Sequence, residues 1–288
     1  MGSVIMNEFV ETRFQRQASV NTYFRSQSRF WREVYADNCV RADIIRDRHV
    51  AVLGLIDDLA LPPGSQVLEI GCGAGFMAVA LAQRGFRVQA IDSVESMVEL
   101  ARQHAMEADL ADRPSVALGD IYALAFADES FDLVLAIGVL PWIGRIEPAV
   151  REVARVTKPG GSVILTTANQ AGLTSLLDPR LNPLLSLPKR YIKNILARLG
   201  LRQQMPGINF HGNRFIDKTL AHLGLVKIRG MTRGFEFSFF RRPVFSARRG
   251  IELHRRLQRL VDRGVPMFHS IGMTYFVLAR KTPSSPHV

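Results

Sequence analysis

The stretch QVLEIGCGAGF, residues 66–76, is an apolar run broken by one acid and closed by three glycines spaced two apart. An apolar run of this length, ending in glycine and followed by FMAVALAQRG, reads as a buried strand, a tight turn and a helix. Such a turn presents bare backbone N–H groups and a helix N-terminus to a ligand. Glycines admit positive φ there and let the ligand touch the main chain. A dinucleotide fingerprint would need a glycine at position 76, where the chain has Phe76. The ligand class is therefore different, and the acid inside the strand, Glu69, becomes part of the pattern.

Outward from this turn, short apolar runs alternate with helical patterns. RVQAID (87–92), SVALGD (115–120), FDLVLAIG (131–138) and SVILTTA (162–168) read as further strands. Helices are expected over 76–85, 94–107 and 146–161, the last stopped by Pro-Gly-Gly. This alternation predicts an α/β fold with a parallel sheet covered on both faces. Before it, residues 1–61 carry aromatic and aliphatic residues at helical spacing and are expected to form a helical cap. After it, residues 169–212 and 235–271 read as basic, amphipathic insertions. A helix (213–225), a strand (226–234) and a last strand (272–281) complete the pattern, and 282–288 reads as a disordered tail.

The chain has 288 residues, 47% hydrophobic and 22% charged, enough to build a globular core. Two cysteines, Cys39 and Cys72, are too few for a disulfide framework or a zinc cluster. No apolar stretch is long enough for a membrane helix and no secretory signal is evident, so a cytoplasmic setting, with peripheral membrane contact as an option, is expected. The net charge of +11 is uneven: from residue 171 onward 21 Lys and Arg face 5 Asp and Glu. That half predicts an anionic partner.

VLEIGCGAGF resembles motif I of the class I S-adenosylmethionine (SAM) methyltransferases. The resemblance continues in order with VQAID, LGDIYALAFADESFDLVLAIGVL and VTKPGG, and covers roughly residues 62–168. It implies a Rossmann-like, doubly wound seven-stranded sheet with an antiparallel last strand, a SAM-binding core over 62–168, and SAM as cofactor. It further implies that Asp92 holds the ribose hydroxyls and that Asp120 and the Ile121 amide hold adenine. Gly71, Cys72, Gly73 and Gly75 would cradle the methionine end, with Glu69 bracing the loop. Ser93, Met97, Ile137 and Gly138 are expected to contact the same cofactor. The leading helices resemble those of the ubiquinone-biosynthesis and magnesium-protoporphyrin methyltransferase group, which makes Tyr23, Trp31 and Tyr35 either cap residues over SAM or anchors of the core.

In an open parallel sheet, ligands bind outside the carboxyl ends of the strands, and both insertions leave from that edge. His211 and His269 stand next to the expected mouth and are the candidate bases, should the acceptor need to lose a proton. Histidines 49, 104, 222 and 254 read as ordinary helix residues. No metal-ligand spacing is present. The expected reaction is methyl transfer to an O or N atom of a small or amphiphilic, anionic acceptor. Its partners would be a small-molecule or lipid-like substrate, an anionic membrane surface or an acidic carrier protein. RNA is a weaker alternative, because strand four ends GVLPWI, without the element that base N-methyltransferases use to hold a flipped amine. A regulatory subunit that binds SAM without catalysis is the non-enzymatic alternative.

Overall fold

The computed structural model describes residues 15–110, 113–178, 207–239 and 242–283. Three helices lead the chain: α1 (15–26), α2 (Ser28–Glu33) and α3 (Val40–Asp57). Helix α3 starts where the Cys39 sulfur accepts the Ala42 amide, and buries Ile45, Val52, Leu55 and Ile56 at three-, four- and seven-residue steps.

The sheet then builds in the expected alternation. Strand β1 (Gln66–Ile70) leads to α4 (Phe76–Ala82), β2 (Arg87–Asp92) to α5 (Glu95–Glu107), and β3 (Ser115–Leu118) to β4 (Phe131–Ala136). A short 3₁₀ turn (Leu140–Trp142) and α6 (Ile146–Val156) follow, then β5 (Thr157–Asn169) and α7 (Leu173–Leu177). Beyond residue 206 come β6 (Phe210–His211), α8 (Asn213–His222), β7 (Leu225–Arg233), a two-stranded ribbon of β8 (Ser238–Phe239) and β9 (Arg242–Pro243), α9 (Ala247–Asp262), a 3₁₀ segment (Pro266–Ser270) and β10 (Thr274–Lys281).

The main sheet runs β3-β2-β1-β4-β5-β10-β7. All pairings from β3 to β5 are parallel, whereas β10 is antiparallel to both neighbours. Strand β7 therefore points the same way as β5, and its carboxyl end lies on the same edge. Both sheet faces are buried, as the side-chain alternation requires: Leu68 and Ile70 pack into the layer of α6 and α8, Val67 into the layer of α3, α4 and α5. Leu68 is fully buried, and its truncation to Ala is expected to cost about 2–5 kcal/mol.

Two details depart from the expected pattern. Helix α6 ends at Val156 rather than 161, because Thr157 already pairs with Phe131 and the Lys-Pro-Gly-Gly residues form an irregularity before Ser162 meets Leu133. An eighth strand, β6, extends the sheet: Ala168 of β5 pairs with Thr274 on one side and Phe210 on the other, so β6 continues the row of β4 past its end. Of the segment expected as a lid, 169–212, residues 179–206 lie outside the described residues, as do 1–14 and 284–288.

Candidate active site

The strand order reverses at β1, between β2 and β4, and the turn after β1 is tied down at that point. The amides of Gly71 and Cys72 both donate to the carbonyl of Ile91, at 2.7 and 3.0 Å. This draws the glycine turn against the end of β2, where Asp92 Oδ2 accepts the Gly73 amide at 2.9 Å and Oδ1 accepts the Val94 amide at 2.9 Å. Burial pushes the Asp92 carboxyl up, and the amides of Gly73, Val94 and Ser93 oppose that shift. A carboxylate has about four lone-pair directions. These three amides still leave acceptor capacity for a ligand.

The glycines of the turn serve different needs. A Cβ on Gly71 (φ +71°) would sit 2.3 Å from Val139, and one on Gly75 (φ +79°) would sit 2.9 Å from the Ala101 backbone. Gly75 is therefore required by the packing of α4 on α5. Gly73 (φ +54°) has open space where its side chain would stand, and it lines the cavity beside Asp92.

That cavity measures about 580 Å³, within the range of small-molecule sites. Its wall includes Glu69, Gly71, Cys72, Gly73, Asp92, Ser93, Asp120, Ile121, Ile137 and Gly138 on the sheet edge, and Tyr23, Trp31 and Tyr35 on the leading helices. These expected residues come together. Gly75 and Met97 do not line it: Met97 is fully buried with Val94 and Leu100 beneath the site. Asp120 accepts the Tyr122 amide at 2.9 Å. Cys72 is held neutral, its thiol pushed well up by burial and then by Glu69 and Asp92.

Glu69 is buried, its carboxyl pushed up to about 8 by loss of solvent and then by Asp92. One of its oxygens, Oε2, has no hydrogen-bond partner among the described residues. A protonated acid fits that environment better than a carboxylate.

The leading helices close the top. Gln17 donates to the Ser93 hydroxyl at 2.9 Å, and Arg16 donates to the carbonyls of Trp142 and Gly207 at 2.8 and 2.6 Å. Tyr23 stacks on Trp142 with ring centroids 5.3 Å apart, and Tyr35 packs on Phe76 at 4.2 Å. These aromatics are thus both walls of the cavity and anchors of the cap.

His211 and His269 do not line the cavity. The His211 ring stacks on Phe215 of α8, 5.5 Å away, and burial lowers its pKa. His269 lies in the 3₁₀ segment with Nε2 turned toward Gly264. Sequence reasoning instead passed over four ionisable residues that do line it: Arg41, Arg48, His49 and Glu236. His49 Nδ1 is 2.8 Å from the Tyr35 hydroxyl. Burial, then Arg48 and Arg84, push the His49 ring down to about 4, and burial pushes Tyr35 up to about 12, so both are neutral near pH 7. Arg48 keeps some surface, but that surface faces the cavity, and loss of bulk solvent lowers its pKa. It makes no hydrogen bond or ion pair among the described residues, and its Nη1 comes within 3.0 Å of where a Cβ on Gly138 would stand.

The family model for a methyltransferase domain matches residues 68–165, the span that builds this site. The chain carries a class I, SAM-dependent methyltransferase domain. SAM is the cofactor of this domain. Among its relatives is the ubiquinone biosynthesis O-methyltransferase of Paracidovorax citrulli, 36% identical over 128 residues, 43% of this chain and 52% of that protein. The malonyl-[acyl-carrier protein] O-methyltransferase of Serratia marcescens is 33% identical over 116 residues, 40% of this chain and 43% of that protein. The chain thus spans about half the length of these two curated relatives. Magnesium protoporphyrin IX methyltransferase from Synechocystis, solved with S-adenosylhomocysteine (SAH), shares the fold. It aligns with a TM-score of 0.62 and 20% identity over 93% of this chain and 100% of that one.

The wall fits the cofactor on the chain's own geometry. It offers a carboxylate with acceptor capacity to spare at Asp92, open main chain at Gly73 and, among the described residues, an unpaired guanidinium at Arg48. Among the described residues, no helix is long and apolar enough to cross a membrane.

Proposed function

We propose that this protein transfers a methyl group from SAM to an O or N atom of a small or amphiphilic acceptor. The observation that carries the reading is the extent of the cavity. It begins at Asp92 and Asp120, crosses the β1/β4 switch point, and continues to Thr166, Thr274 and Glu236 at the β5, β10 and β7 end of the edge. From β2 to β7 there are five strand spacings, about 24 Å of edge at about 4.8 Å each. One pole suits a nucleoside, which leaves the other for an acceptor.

In this reading Asp92 takes the ribose hydroxyls, Asp120 and the Ile121 amide take adenine, and Arg48 takes the amino-acid carboxylate as a charge-assisted pair. SAM supplies an electrophilic methyl group on a sulfonium. The chain's part is to orient the acceptor and keep water out, for which the lid of Gln17, Tyr23, Phe24 and Trp142 is suited. The distal wall sets apolar Ile44, Ile208, Phe210 and Met273 beside polar Thr166, Thr174 and Thr274, a mixed surface that suits an amphiphilic acceptor. An acidic part of the acceptor, an acidic carrier or an anionic lipid surface would meet the outer face of α9. There Arg248, Arg249, Arg256 and Arg259 are exposed beside Val244 and Phe245. The test is incubation with radiolabelled SAM and fractionated cell extract. Label in a lipid, a small metabolite or a group releasable from a carrier supports the reading; label confined to RNA or to polypeptide side chains overturns it.

A further inference from the structure

We infer that Glu236 is the group that takes the acceptor's proton, and that the acceptor therefore presents a hydroxyl rather than a carboxylate to the methyl donor. This rests on the methyl-transfer reading and narrows its substrate class.

Glu236 stands three residues past the carboxyl end of β7, at the opposite pole of the cavity from Asp92 and Asp120. Its backbone is pinned from several sides. The amide of Gly234 donates to Gln258 Oε1 at 3.2 Å and that of Phe235 to His254 Nδ1 at 3.2 Å, while the Glu236 carbonyl accepts the Thr174 hydroxyl. Gln258 and His254 are buried polar residues on the inner face of a helix whose outer face is basic. With Thr174 they fix where the Glu236 side chain starts. Glu236 lines the cavity and is half-buried, and its carboxyl makes no hydrogen bond or ion pair among the described residues. A partly desolvated acid without a partner is disfavoured, so one on the wall of a site points to a ligand that satisfies it.

The chemistry restricts that ligand. Burial raises the Glu236 carboxyl, with Arg41 opposing, which makes it a stronger base than an exposed glutamate. A hydroxyl acceptor enters with a proton it must lose. The acceptor oxygen forms its bond to the methyl carbon as the sulfur–methyl bond breaks with its electron pair left on sulfur, and the O–H proton passes to Glu236. The sulfonium charge ends as one proton on a carboxylate. A carboxylate acceptor has no proton to give and would meet a like charge in a poorly solvated cavity. An acid at this pole hinders such a substrate and assists a hydroxyl.

The probes are 4-octylphenol and 4-octylbenzoate, amphiphiles that differ in the group presented, titrated into the full chain loaded with SAH. We expect the wild-type protein to bind the phenol about tenfold more tightly than the benzoate, a difference of about 1.4 kcal/mol. Glu236→Gln should abolish or reverse that preference, and Glu236→Asp should keep it, with SAH affinity unchanged in both. Benzoate binding as tight as phenol binding by the wild type, a preference that survives Glu236→Gln, or no binding of either probe overturns the proposal. Loss of SAH binding by the wild type would instead sink the methyl-transfer reading beneath it.

Discussion

Asp92 Oδ2 sits 2.9 Å from the amide nitrogen of Gly73, so one carboxylate both shapes the glycine turn and faces the cavity. The two roles separate by substitution. Asp92→Asn keeps one acceptor oxygen for the turn but loses the charge, and Asp92→Ala loses both. SAH affinity, measured by calorimetric titration, should fall about tenfold or more in Asp92→Ala, because hydrogen bonds to a charged group contribute about 1.5–3 kcal/mol. Asp92→Asn should lie between. Unchanged affinity in Asp92→Ala would remove the ribose assignment.

The glycines two residues apart should fail in different ways. Gly75→Ala forces a methyl group into the Ala101 backbone at positive φ, and overpacking with left-handed strain predicts a loss of roughly 2–4 kcal/mol of stability. Gly73→Ala meets open space, so its loss of stability should stay near the left-handed cost, about 1–2 kcal/mol. Its larger effect should be on SAH affinity. Denaturant unfolding of both variants beside SAH titration checks the split, and equal unfolding midpoints would contradict it.

Glu69 ties stability to pH. In the folded chain its pKa is raised from 4.5 to about 8, first by burial and then by Asp92. The folded state therefore holds a proton that the unfolded state has released. The sign follows: the contribution is fully present below the ordinary glutamate range and is lost as pH rises through about 8. Stability of the ligand-free protein should fall across that window by at most about 1.4 kcal/mol per pH unit from this group. Glu69→Gln should flatten the slope. A slope that persists in the variant would assign it to other groups.

Features set by local spacing were legible in the chain, and features set by assembly were not. The strand–turn–helix of residues 66–82 declares itself because glycines, an acid and an apolar run follow one another. The same holds for Asp92 and Asp120 at strand ends. Arg48 and His49 could not be read this way, since a helical period around Ile45 and Val52 makes them look like solvated residues between core positions. Only the docking of α3 over the edge, held by Asp43–Arg255 and Asp47–Arg233, turns them inward. Glu236 lies in a segment with no repeat of its own, and its place depends on His254 and Gln258 far along the chain. The signal that could have found it was the polar pair His254 and Gln258, four residues apart, which the structure buries on the inner face of a basic helix. His211 and His269 were drawn to the mouth by sequence position alone; Phe215 and Gly264 show where their rings point.

Arg48 offers the sharpest test of how the cofactor's amino-acid end is held. Its guanidinium sits beside Gly138, facing the cavity, without an acidic partner among the described residues. A buried cation in that state favours a ligand with a carboxylate, and Arg can meet one through two parallel hydrogen bonds. SAH carries such a carboxylate, whereas 5′-methylthioadenosine has the same nucleoside and no amino-acid tail. Arg48→Met should therefore weaken SAH by about tenfold to a hundredfold, the range of a lost charge-assisted pair of about 1.5–3 kcal/mol, and leave methylthioadenosine within about twofold. Because removing a poorly solvated cation relieves a desolvation cost, the same variant should not lose thermal stability when ligand-free. Parallel loss of both ligands would mean that Arg48 shapes the nucleoside pole instead. A destabilised apo protein with both affinities intact would make it a structural cation whose partner lies elsewhere.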